Sequence, residues 1–216
     1  MDTVKKLLEA THAVIFDLDG VLVDTAVFHF KAWKRLSDEL GIPFDEAKNE
    51  ELKGISRIDS LKKILDWGGL RKREEEIDSL ASTKNDWYLS FIQELNEGDV
   101  LVGTLPLLEW LKTNDKKIAL GSASKNARII LERTGILPYF DAIIDGNAVH
   151  YSKPDPEVFL LGAKAMHIAV DDCVVFEDAQ SGIDAARAAG MKVVAVGSPD
   201  ILKGYDAIIN GLNEVI

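Results

Sequence analysis

The sequence AVIFDLDGVLVDT, residues 13–25, places an apolar run directly before two aspartates and a glycine. A short, continuous apolar run is typical of a strand that is buried on both faces, as in a parallel sheet. Side chains at i and i+2 of an extended chain point the same way, so Asp17 and Asp19 are predicted to converge. Open α/β sheets bind ligands at the carboxyl ends of their strands. The stretch therefore predicts a ligand site, although an acidic turn at a strand end has the same pattern.

The two aspartates also predict a cation. Neighbouring carboxylates repel each other unless a cation or a shared proton relieves the repulsion. Mg²⁺ fits, because proteins commonly hold it with one or two carboxylates and the phosphates of a substrate. One carboxylate could also act as a nucleophile and the other as a general acid or base. Asp17 and Asp19 therefore point to Mg²⁺-assisted chemistry.

The composition excludes several classes of protein. The chain has 216 residues, of which 47% are hydrophobic and 28% charged, as in an ordinary globular domain. Its net charge of -11 disfavours binding to nucleic acid or to an anionic membrane, and no apolar stretch is long enough to span a bilayer. The single cysteine, Cys173, is predicted to be a buried, inert thiol. Residues 1–12 lack the apolar segment of a signal peptide, so we expect a cytoplasmic protein.

Apolar runs typical of strands alternate with helical patterns along most of the chain. This alternation predicts right-handed β-α-β units and a doubly wound parallel sheet of the α/β class. The predicted strands are Ala13–Asp17, Lys117–Ser122, Ala142–Asp145, Cys173–Glu177, Val193–Gly197 and Ala207–Ile209. The predicted helices of the same region are Ala127–Thr134, Pro156–Met166 and Gly182–Ala189.

Residues 26–96 break this alternation, because their patterns indicate helices only. The predicted helices are Val27–Leu40, Ile58–Trp67 and a run from Lys72 to Leu95. We therefore expect an inserted α-helical cap domain, residues 26–96, on a core domain formed by residues 1–25 and 97–216. The chain crosses between the two parts twice, which makes a hinge, so the cap could close over the strand ends.

Three further strand ends carry side chains that suit a phosphate or a metal. Ser122 could bind an anion with its hydroxyl and its backbone N–H, aided by the dipole of the next helix. Lys153 precedes a proline that is predicted to start a helix, so its ammonium group can be aimed at a phosphate. Glu177 and Asp178 end a buried strand and offer oxygen ligands. The alternatives are helix caps for Ser124, Asn126 and Asp178 and a solvated position for Lys153.

Together these strand ends resemble the four motifs of the haloacid dehalogenase (HAD)-like superfamily. The motifs are Asp17-Leu18-Asp19-Gly20, Ser122, Lys153-Pro154 and Glu177-Asp178, and the resemblance extends from Ala13 to about Ile209. It implies a HAD-like Rossmannoid core with Mg²⁺ as the cofactor. It also implies that Asp17 is a nucleophile that forms an aspartyl phosphate and that Asp19 is the general acid/base. Ser122 and Lys153 would hold the transferring phosphoryl group. The implied metal ligands are Asp17, the backbone carbonyl of Asp19, Glu177 and Asp178.

Within this superfamily the chain is most similar to the β-phosphoglucomutases. The similarity lies in Asp24-Thr25-Ala26 with His29, in residues 52–57, in residues 84–86 and in residues 122–126. It implies that Arg57 binds the distal phosphate of a sugar bisphosphate together with Ser124, Lys125 and Asn126. It implies that His29 and Lys84 face the sugar or support cap closure. The other expected substrate contacts are Thr25, Trp33, Lys53, Gly54, Ser122 and Ala123.

The resemblance implies a monomeric mutase that interconverts β-D-glucose 1-phosphate and D-glucose 6-phosphate through glucose 1,6-bisphosphate. A HAD-like sugar-phosphate phosphatase with the same core residues is the first alternative. A phosphatase has less need to grip a distal phosphate, so Arg57 and residues 124–126 discriminate between the two. A non-catalytic protein that binds a phosphorylated ligand is the second alternative, and the intact core motifs argue against it. His29 could also be an ordinary core histidine, and Arg57 a solvated residue at a helix start.

Overall fold

A computed structural model describes residues 2–216 and has an α/β fold built around one parallel sheet. The sheet order is β3-β2-β1-β4-β5-β6, and every neighbouring pair of strands is parallel. The predicted doubly wound sheet is confirmed, and all of its predicted strands are present. The strands are β1 (Ala13–Phe16), β2 (Lys117–Gly121), β3 (Ala142–Ile144), β4 (Cys173–Glu177), β5 (Lys192–Val196) and β6 (Ala207–Ile209).

The helices occupy the connections between the strands. They are α1 (Asp2–Ala10), α2 (Ala26–Glu39), α3 (Glu46–Glu50), α4 (Arg57–Trp67), α5 (Glu74–Ile92), α6 (Thr104–Thr113), α7 (Ala127–Arg133), α8 (Glu157–Met166) and α9 (Gln180–Ala188). Helices α1, α3 and α6 are not among the predicted ones. Pro154 does not start α8 as predicted, because the helix begins three residues later, at Glu157. Within residues 2–216, no helix is both long and apolar enough to cross a membrane.

The chain order of the strands reverses next to β1. From β1 the chain continues outward to β2 and β3, and it then returns to β4 on the other side of β1. Phe16 of β1 is in register with Phe176 of β4, and the backbone N–H of Asp17 donates to the carbonyl of Phe176 at 2.9 Å. Asp17 and Glu177 therefore lie at adjacent strand ends, at the switch point where open α/β sheets leave a crevice for ligands.

Among the described residues, buried apolar side chains form three clusters. Alternate residues of β1 enter the clusters on the two opposite faces of the sheet, Val14 and Phe16 on one face and Ala13 and Ile15 on the other. Cys173 is buried in the second of these clusters, as predicted. The third cluster lies among helices α2 to α5 and contains Trp33, Leu36, Ile42, Phe44, Leu52, Leu61, Ile64, Leu65, Ile77 and Ala81.

Helix α5 contributes to two of the three clusters. Ile77 and Ala81 pack in the helical cluster, whereas Tyr88 and Ile92 belong to the cluster on the first face of the sheet. Residues 26–96 therefore contain an apolar core of their own and are also tied to the sheet by the second half of α5. The division of the chain at residues 26 and 96 stays a prediction.

Helix α1 packs against the sheet, although the sequence assigns no role to the start of the chain. Val4 and Leu8 are buried in the cluster on the first face of the sheet. The ammonium group of Lys116 donates to the backbone carbonyls of Glu9, in the last turn of α1, and of Thr11, between α1 and β1. This helix therefore extends the apolar core at the end of the sheet from which β1 begins.

Candidate active site

The buried ammonium group of Lys153 joins two of the carboxylates predicted for the site. Its Nζ atom donates to Asp17 Oδ1 at 2.6 Å and to Glu177 Oε2 at 2.8 Å, and its side chain is 1% exposed. Burial alone lowers the pKa of Lys153, but the carboxylates of Asp17 and Glu177 outweigh it and raise the pKa well above its ordinary value. Lys153 is therefore a fixed cation next to Asp17, and it is not a solvated residue.

Asp19 has different surroundings from Asp17. The hydroxyl of Thr25 donates to Asp19 Oδ1, and His29 Nε2 lies 3.8 Å from the same oxygen. Burial, followed by the charge of Asp17, raises the pKa of Asp19 from 3.8 to about 6. A carboxyl group with a pKa near neutrality is suited to general acid/base catalysis. The two aspartates are thus differentiated by their environments, in the way that acid/base pairs are in enzymes.

Thr25 differs from its predicted role as a substrate contact. Its side chain is fully buried, and it does not line the cavity that contains Asp19. Its hydroxyl instead donates to the Asp19 carboxylate from the residue just before α2. In this structure Thr25 is bonded to the acid/base candidate and is not exposed to the cavity.

Lys84 of α5 and His29 of α2 form a buried pair beside Asp19. Lys84 Nζ lies 2.9 Å from His29 Nδ1 and sits over the ring of Trp33, 4.4 Å from its centroid. Burial, and then the charge of Arg57, lowers the pKa of Lys84 from 10.5 to about 7. Burial, and then the charge of Lys84, lowers the pKa of His29 well below its ordinary value. His29 is therefore part of a polar pair at the site and not an isolated core histidine.

A group of three acidic residues could hold a metal ion. Carboxylate oxygens of Asp17, Glu177 and Asp178 lie within 4.8 Å of one another. An all-oxygen set of this kind fits a hard divalent cation such as Mg²⁺. Burial raises the pKa of Asp178, and the ammonium of Lys53, 3.3 Å from Asp178 Oδ2, opposes this shift. Asp178 does not cap α9, since the residue before that helix is Ala179.

Glu177 is the deepest member of this acidic group. It is fully buried, and burial raises its pKa although Lys153 opposes the shift. One of its oxygens accepts from Lys153, and the other accepts from the backbone N–H of Ala179 at 3.1 Å. Glu177 therefore ties Lys153 to the start of α9 from below the cavity, in addition to being a metal-ligand candidate.

Residues 122–126 form a turn of internal hydrogen bonds after β2. Ser122 Oγ accepts from the N–H of Ser124, and Ser124 Oγ accepts from the N–H of Asn126. The prediction that the backbone N–H of Ser122 binds an anion is wrong, because this N–H donates to the carbonyl of Ile144 in the neighbouring strand. That the hydroxyl of Ser122 binds an anion stays a prediction. Asn126 does not cap α7 with its side chain, which donates instead to Asn85 of α5 at 2.9 Å.

Arg57 has a cationic side chain that forms no ion pair in the part of the chain that the structure describes. It is the first residue of α4, which is capped by Ser56, and it is half-buried on the wall of the cavity. Burial lowers the pKa of its guanidinium, with Tyr88 and Asp86 opposing the shift. Within residues 2–216, no hydrogen bond or ion pair to the Arg57 side chain is found. A desolvated, unpaired guanidinium at a helix start, where the helix dipole disfavours a cation, invites an anionic ligand.

One cleft of about 580 Å³ brings most of the predicted site residues together. Its size is that of a typical small-molecule site. Glu177 and Thr25 are the two predicted residues that do not reach its surface. The predicted residues that line it are Asp17, Asp19, His29, Trp33, Lys53, Gly54, Arg57, Lys84, Ser122, Ala123, Ser124, Lys125, Asn126, Lys153 and Asp178.

The structure also adds residues that the sequence patterns do not indicate. Tyr88 is fully buried and stacks on His29, with 4.1 Å between the ring centroids. Its position four residues after Lys84 on the same helix was the available signal. Asp59, Ser152 and Ser181 join residues 53–59 to the sheet domain by side-chain hydrogen bonds. Single serines and an aspartate on a helix carry no distinguishing pattern, so these contacts had no signal in the sequence.

The chain is similar to known proteins in both sequence and fold. A family model described as haloacid dehalogenase-like hydrolase matches residues 11–190. The β-phosphoglucomutase of Bacillus subtilis (strain 168) is 42% identical over 205 residues, which make up 94% of this chain and 91% of that protein. A crystal structure of the β-phosphoglucomutase from Clostridium difficile superposes with a TM-score of 0.92 at 42% identity, covering 95% of this chain and 93% of that one.

A phosphatase is also among the similar proteins. The fructose-1-phosphate phosphatase of Escherichia coli (strain K12) is 33% identical over 190 residues, which cover 88% of this chain and 98% of that protein. Its identity to this chain is lower than that of the Bacillus mutase.

Proposed function

The chain belongs to the haloacid dehalogenase-like hydrolase family, and from this premise we propose that it is a β-phosphoglucomutase. It is an enzyme that interconverts β-D-glucose 1-phosphate and D-glucose 6-phosphate. The reaction passes through an aspartyl phosphate on the protein and through glucose 1,6-bisphosphate. A sugar phosphate is thus its small-molecule substrate.

The unpaired guanidinium of Arg57 is the observation that carries this proposal. A mutase must hold either phosphate of a bisphosphate while the other phosphate reacts, so its cavity needs a second anion site. Arg57 lines the same cavity as Asp17, but it belongs to the helical residues 26–96, whereas Asp17 follows β1. The guanidinium fork binds phosphate with two parallel hydrogen bonds, which suits this grip. Ser124, Lys125 and Asn126 line the cavity and complete the proposed distal site.

Asp17 supplies the nucleophile. A carboxylate oxygen of Asp17 bonds to phosphorus while the bond from phosphorus to the donor oxygen breaks, which leaves an aspartyl phosphate. Lys153, 2.6 Å from Asp17, stabilises the charge on the transferring group, and the hydroxyl of Ser122 donates to it. In the second step an oxygen of the sugar takes the phosphoryl group from Asp17.

Asp19 moves the proton in each step. Its protonated form gives a proton to the departing sugar oxygen, and its ionised form removes one from the attacking hydroxyl. A pKa of about 6 makes both forms accessible near neutral pH. Thr25 orients the carboxylate, and the pair of His29 and Lys84 beside it faces the sugar. Trp33, Lys53, Gly54 and Ala123 complete the proposed substrate contacts on the cavity wall.

We propose Mg²⁺ as the cofactor, held by Asp17, Glu177, Asp178 and the backbone carbonyl of Asp19. The close approach of three carboxylates supports this choice. When bound, the cation would neutralise negative charge on the phosphoryl group. Lys153 already neutralises part of the charge of this acidic group, which keeps Asp17 and Glu177 together in the protein alone.

We propose that residues 26–96 act as a cap on a core of residues 1–25 and 97–216, and that the protein is a cytoplasmic monomer. Its net charge of -11 supports the expectation that it binds neither nucleic acid nor an anionic membrane.

A product assay separates the mutase from the phosphatase alternative. The enzyme is supplied with β-glucose 1-phosphate, Mg²⁺ and a trace of the bisphosphate, and glucose 6-phosphate and free phosphate are measured together. We expect glucose 6-phosphate as the main product. Free phosphate as the main product, at a rate that exceeds isomerisation, would replace the mutase by a sugar-phosphate phosphatase.

The Arg57→Ala variant tests the distal site within the same assay. Mutase activity should collapse, because remote binding energy that aligns the substrate is lost. Hydrolysis of a small acyl or aryl phosphate, which has no distal phosphate, should stay close to the wild-type rate. Arg71→Ala, which removes an exposed arginine of residues 26–96, is the matched control and should leave both activities intact. Equal losses of both activities in Arg57→Ala would make Arg57 a structural residue.

A further inference from the structure

Two serines outside the predicted site hold one segment of the helical region at both of its ends. We name residues 53–59 the cap segment. At its start, Ser181 Oγ donates to the backbone carbonyl of Lys53 at 3.0 Å. At its end, Ser152 Oγ donates to Asp59 Oδ2 at 2.7 Å. Ser181 lies in the first turn of α9, and Ser152 lies directly before Lys153, so both serines belong to the sheet domain.

The groups that the cap segment directs at the cavity lie between these two contacts. Lys53 places its ammonium 3.3 Å from Asp178, next to the acidic group. Arg57 projects its unpaired guanidinium from the start of α4. Asp59 also accepts from the hydroxyl of Ser56, and its N–H donates back to that hydroxyl at 3.2 Å. The carboxylate of Asp59 thus connects Ser56, the N-cap residue of α4, to Ser152 in the loop before Lys153.

Gly54 shows that the first contact is a close one. Its φ is +73°, and a Cβ atom at this position would lie 2.5 Å from Ser181 Oγ and 3.1 Å from the Cβ of Ala179. The backbone of the cap segment therefore rests against the first turn of α9. A side chain at residue 54 would separate the two surfaces.

We propose that Ser152 and Ser181 are positioning residues that hold the cap segment against the sheet domain and thereby aim Lys53 and Arg57 into the cavity. Neither serine touches the reacting atoms in this role. The role of Arg57 in binding a phosphate rests on the proposed function, whereas the hold of the two serines on the cap segment does not. The contacts are side chain to backbone at one end and side chain to side chain at the other, so each can be removed alone.

The first test measures the distance between the cap and the sheet domain in the protein without ligand. Spin labels on cysteines introduced at the exposed residues Lys62 of α4 and Lys164 of α8 report that distance by pulsed electron resonance. Burial raises the pKa of the native Cys173 thiol to about 11, so it reacts slowly with the label. The distribution of this distance gives the ratio of molecules in which the cap segment contacts the sheet domain to molecules in which it does not. We expect Ser152→Ala and Ser181→Ala each to lower this ratio about 2- to 10-fold, the range for one hydrogen bond. The double variant should lower it further.

Two sets of control variants test whether loss of these two serine hydroxyls causes the change in distance. Ser90→Ala removes a serine hydroxyl that bonds only within α5, and it should leave the distance unchanged. Ser152→Thr and Ser181→Thr keep the hydroxyl and should retain the wild-type distance. Melting temperatures of all variants should lie close to that of the wild type, because both serines are at the surface between the two parts. A double variant whose distance distribution matches the wild type would overturn the proposal.

The second test is kinetic. In Ser152→Ala and Ser181→Ala the KM for β-glucose 1-phosphate should rise by about the same 2- to 10-fold factor. Hydrolysis of p-nitrophenyl phosphate, which does not use the distal site, should stay at the wild-type rate. Equal losses on both substrates would assign the serines a merely structural role and overturn the proposal.

The third test uses the close approach at Gly54. Gly54→Ala should raise the KM strongly in the wild-type background and less in the Ser181→Ala background, because the closest clash is with Ser181 Oγ. The backbone strain at φ +73° is the same in both backgrounds and cancels in the comparison. An equal effect in both backgrounds would count against the contact.

The three tests separate the positioning role from the proposed function. If the wild type does not isomerise β-glucose 1-phosphate but the distance lengthens when the serines are removed, the mutase assignment is wrong and the positioning role stands. An active mutase whose distance does not respond would keep its function and lose this role.

Discussion

Replacing Lys153 by methionine removes the cation that holds Asp17 and Glu177 together. Methionine retains much of the length and apolar volume of the lysine side chain, so the main loss is the charge. In the wild type the ammonium is almost fully buried and contacts both carboxylates within 2.8 Å. The variant therefore leaves two buried carboxylates facing each other without a counter-charge.

The expected loss of stability is large. Breaking a buried ion pair by removing one partner costs about 3–5 kcal/mol, because the remaining charge stays buried without compensation. We expect the free energy of unfolding to fall by about this amount at pH 9.5 in the absence of divalent metal. With an unfolding entropy of about 2.1 cal/mol/K per residue over 216 residues, the melting temperature should fall by about 7–11 °C.

The loss should become smaller as the pH falls. Burial already raises the pKa of Glu177 in the wild type, and removing Lys153 raises it further. A carboxyl group with a raised pKa in the folded state binds its proton more tightly there, so lowering the pH through that pKa stabilises the folded variant. The contribution of Lys153, whose pKa is raised, is fully present below 10.5 and stays constant over this range. Because the pKa of Glu177 is already about 8 in the wild type, the difference between wild type and variant should narrow from pH 9.5 to pH 7.

Urea unfolding in EDTA at these two pH values measures the effect. Lys117→Met is the matched control, because Lys117 is 51% exposed and pairs with Asp141 at 3.0 Å on the surface. An exposed pair contributes about 0.2–1 kcal/mol, so the control should lose no more than this. Equal losses in the two variants would refute the assignment of Lys153 as a buried counter-charge, and so would a loss that is the same at both pH values.

Three further substitutions test other parts of the site. Asp17→Asn should abolish turnover and the base-labile phosphoenzyme, since an amide cannot form the acyl phosphate. If the variant still became labelled by a phosphoryl donor, Asp17 would not be the nucleophile. Asp19→Asn should slow isomerisation by about 10²–10⁴-fold. Because the pKa of Asp19 is raised to about 6, its carboxyl group destabilises the folded wild type increasingly as the pH rises from 4 to 7. In urea unfolding without metal, the free energy of unfolding of Asp19→Asn should therefore exceed that of the wild type by up to about 3 kcal/mol at pH 7 and by little at pH 4. Gly182→Ala should destabilise the fold by about 1–3 kcal/mol and lower activity, because the new Cβ would lie 2.0 Å from Glu177 Cδ; a variant with wild-type melting and rates would contradict the observed packing.

The sheet and the core motifs could be predicted because their signals are local. Each strand of the sheet contains a continuous apolar run, and the polar residues at the ends of β1, β2 and β4 mark the carboxyl edge. The right-handed connection rule then brings Asp17, Ser122 and Asp178 to one edge. The cavity lined by these residues matches that expectation.

The remaining features depend on pairings that distant parts of the chain make. The N–H of Ser122 donates to the carbonyl of Ile144 because the hydrogen bonds between β2 and β3 continue one residue beyond the end of β2, which no local pattern reveals. Thr25 is directed inward by the start of α2, whereas its sequence neighbours suggest a ligand contact. The contact of Asn126 with Asn85 joins residues 41 positions apart. Such contacts follow from how the helices pack on the sheet, and the residues involved are common surface types.

Helix α5 is anchored to the sheet by its C-terminal half. Its last turns, around Tyr88 and Ile92, are fixed in the apolar cluster of the sheet, whereas its start at Glu74 is free of that cluster. At 1.5 Å per residue, Glu74 lies about 27 Å from the anchored end and Lys84 about 12 Å from it. A rotation of about 10° about this end would move Glu74 by about 5 Å but Lys84 by only about 2 Å. A rotation of this kind would open the outer helices by several times the distance moved near the sheet, and the ammonium of Lys84 would stay close to Asp19.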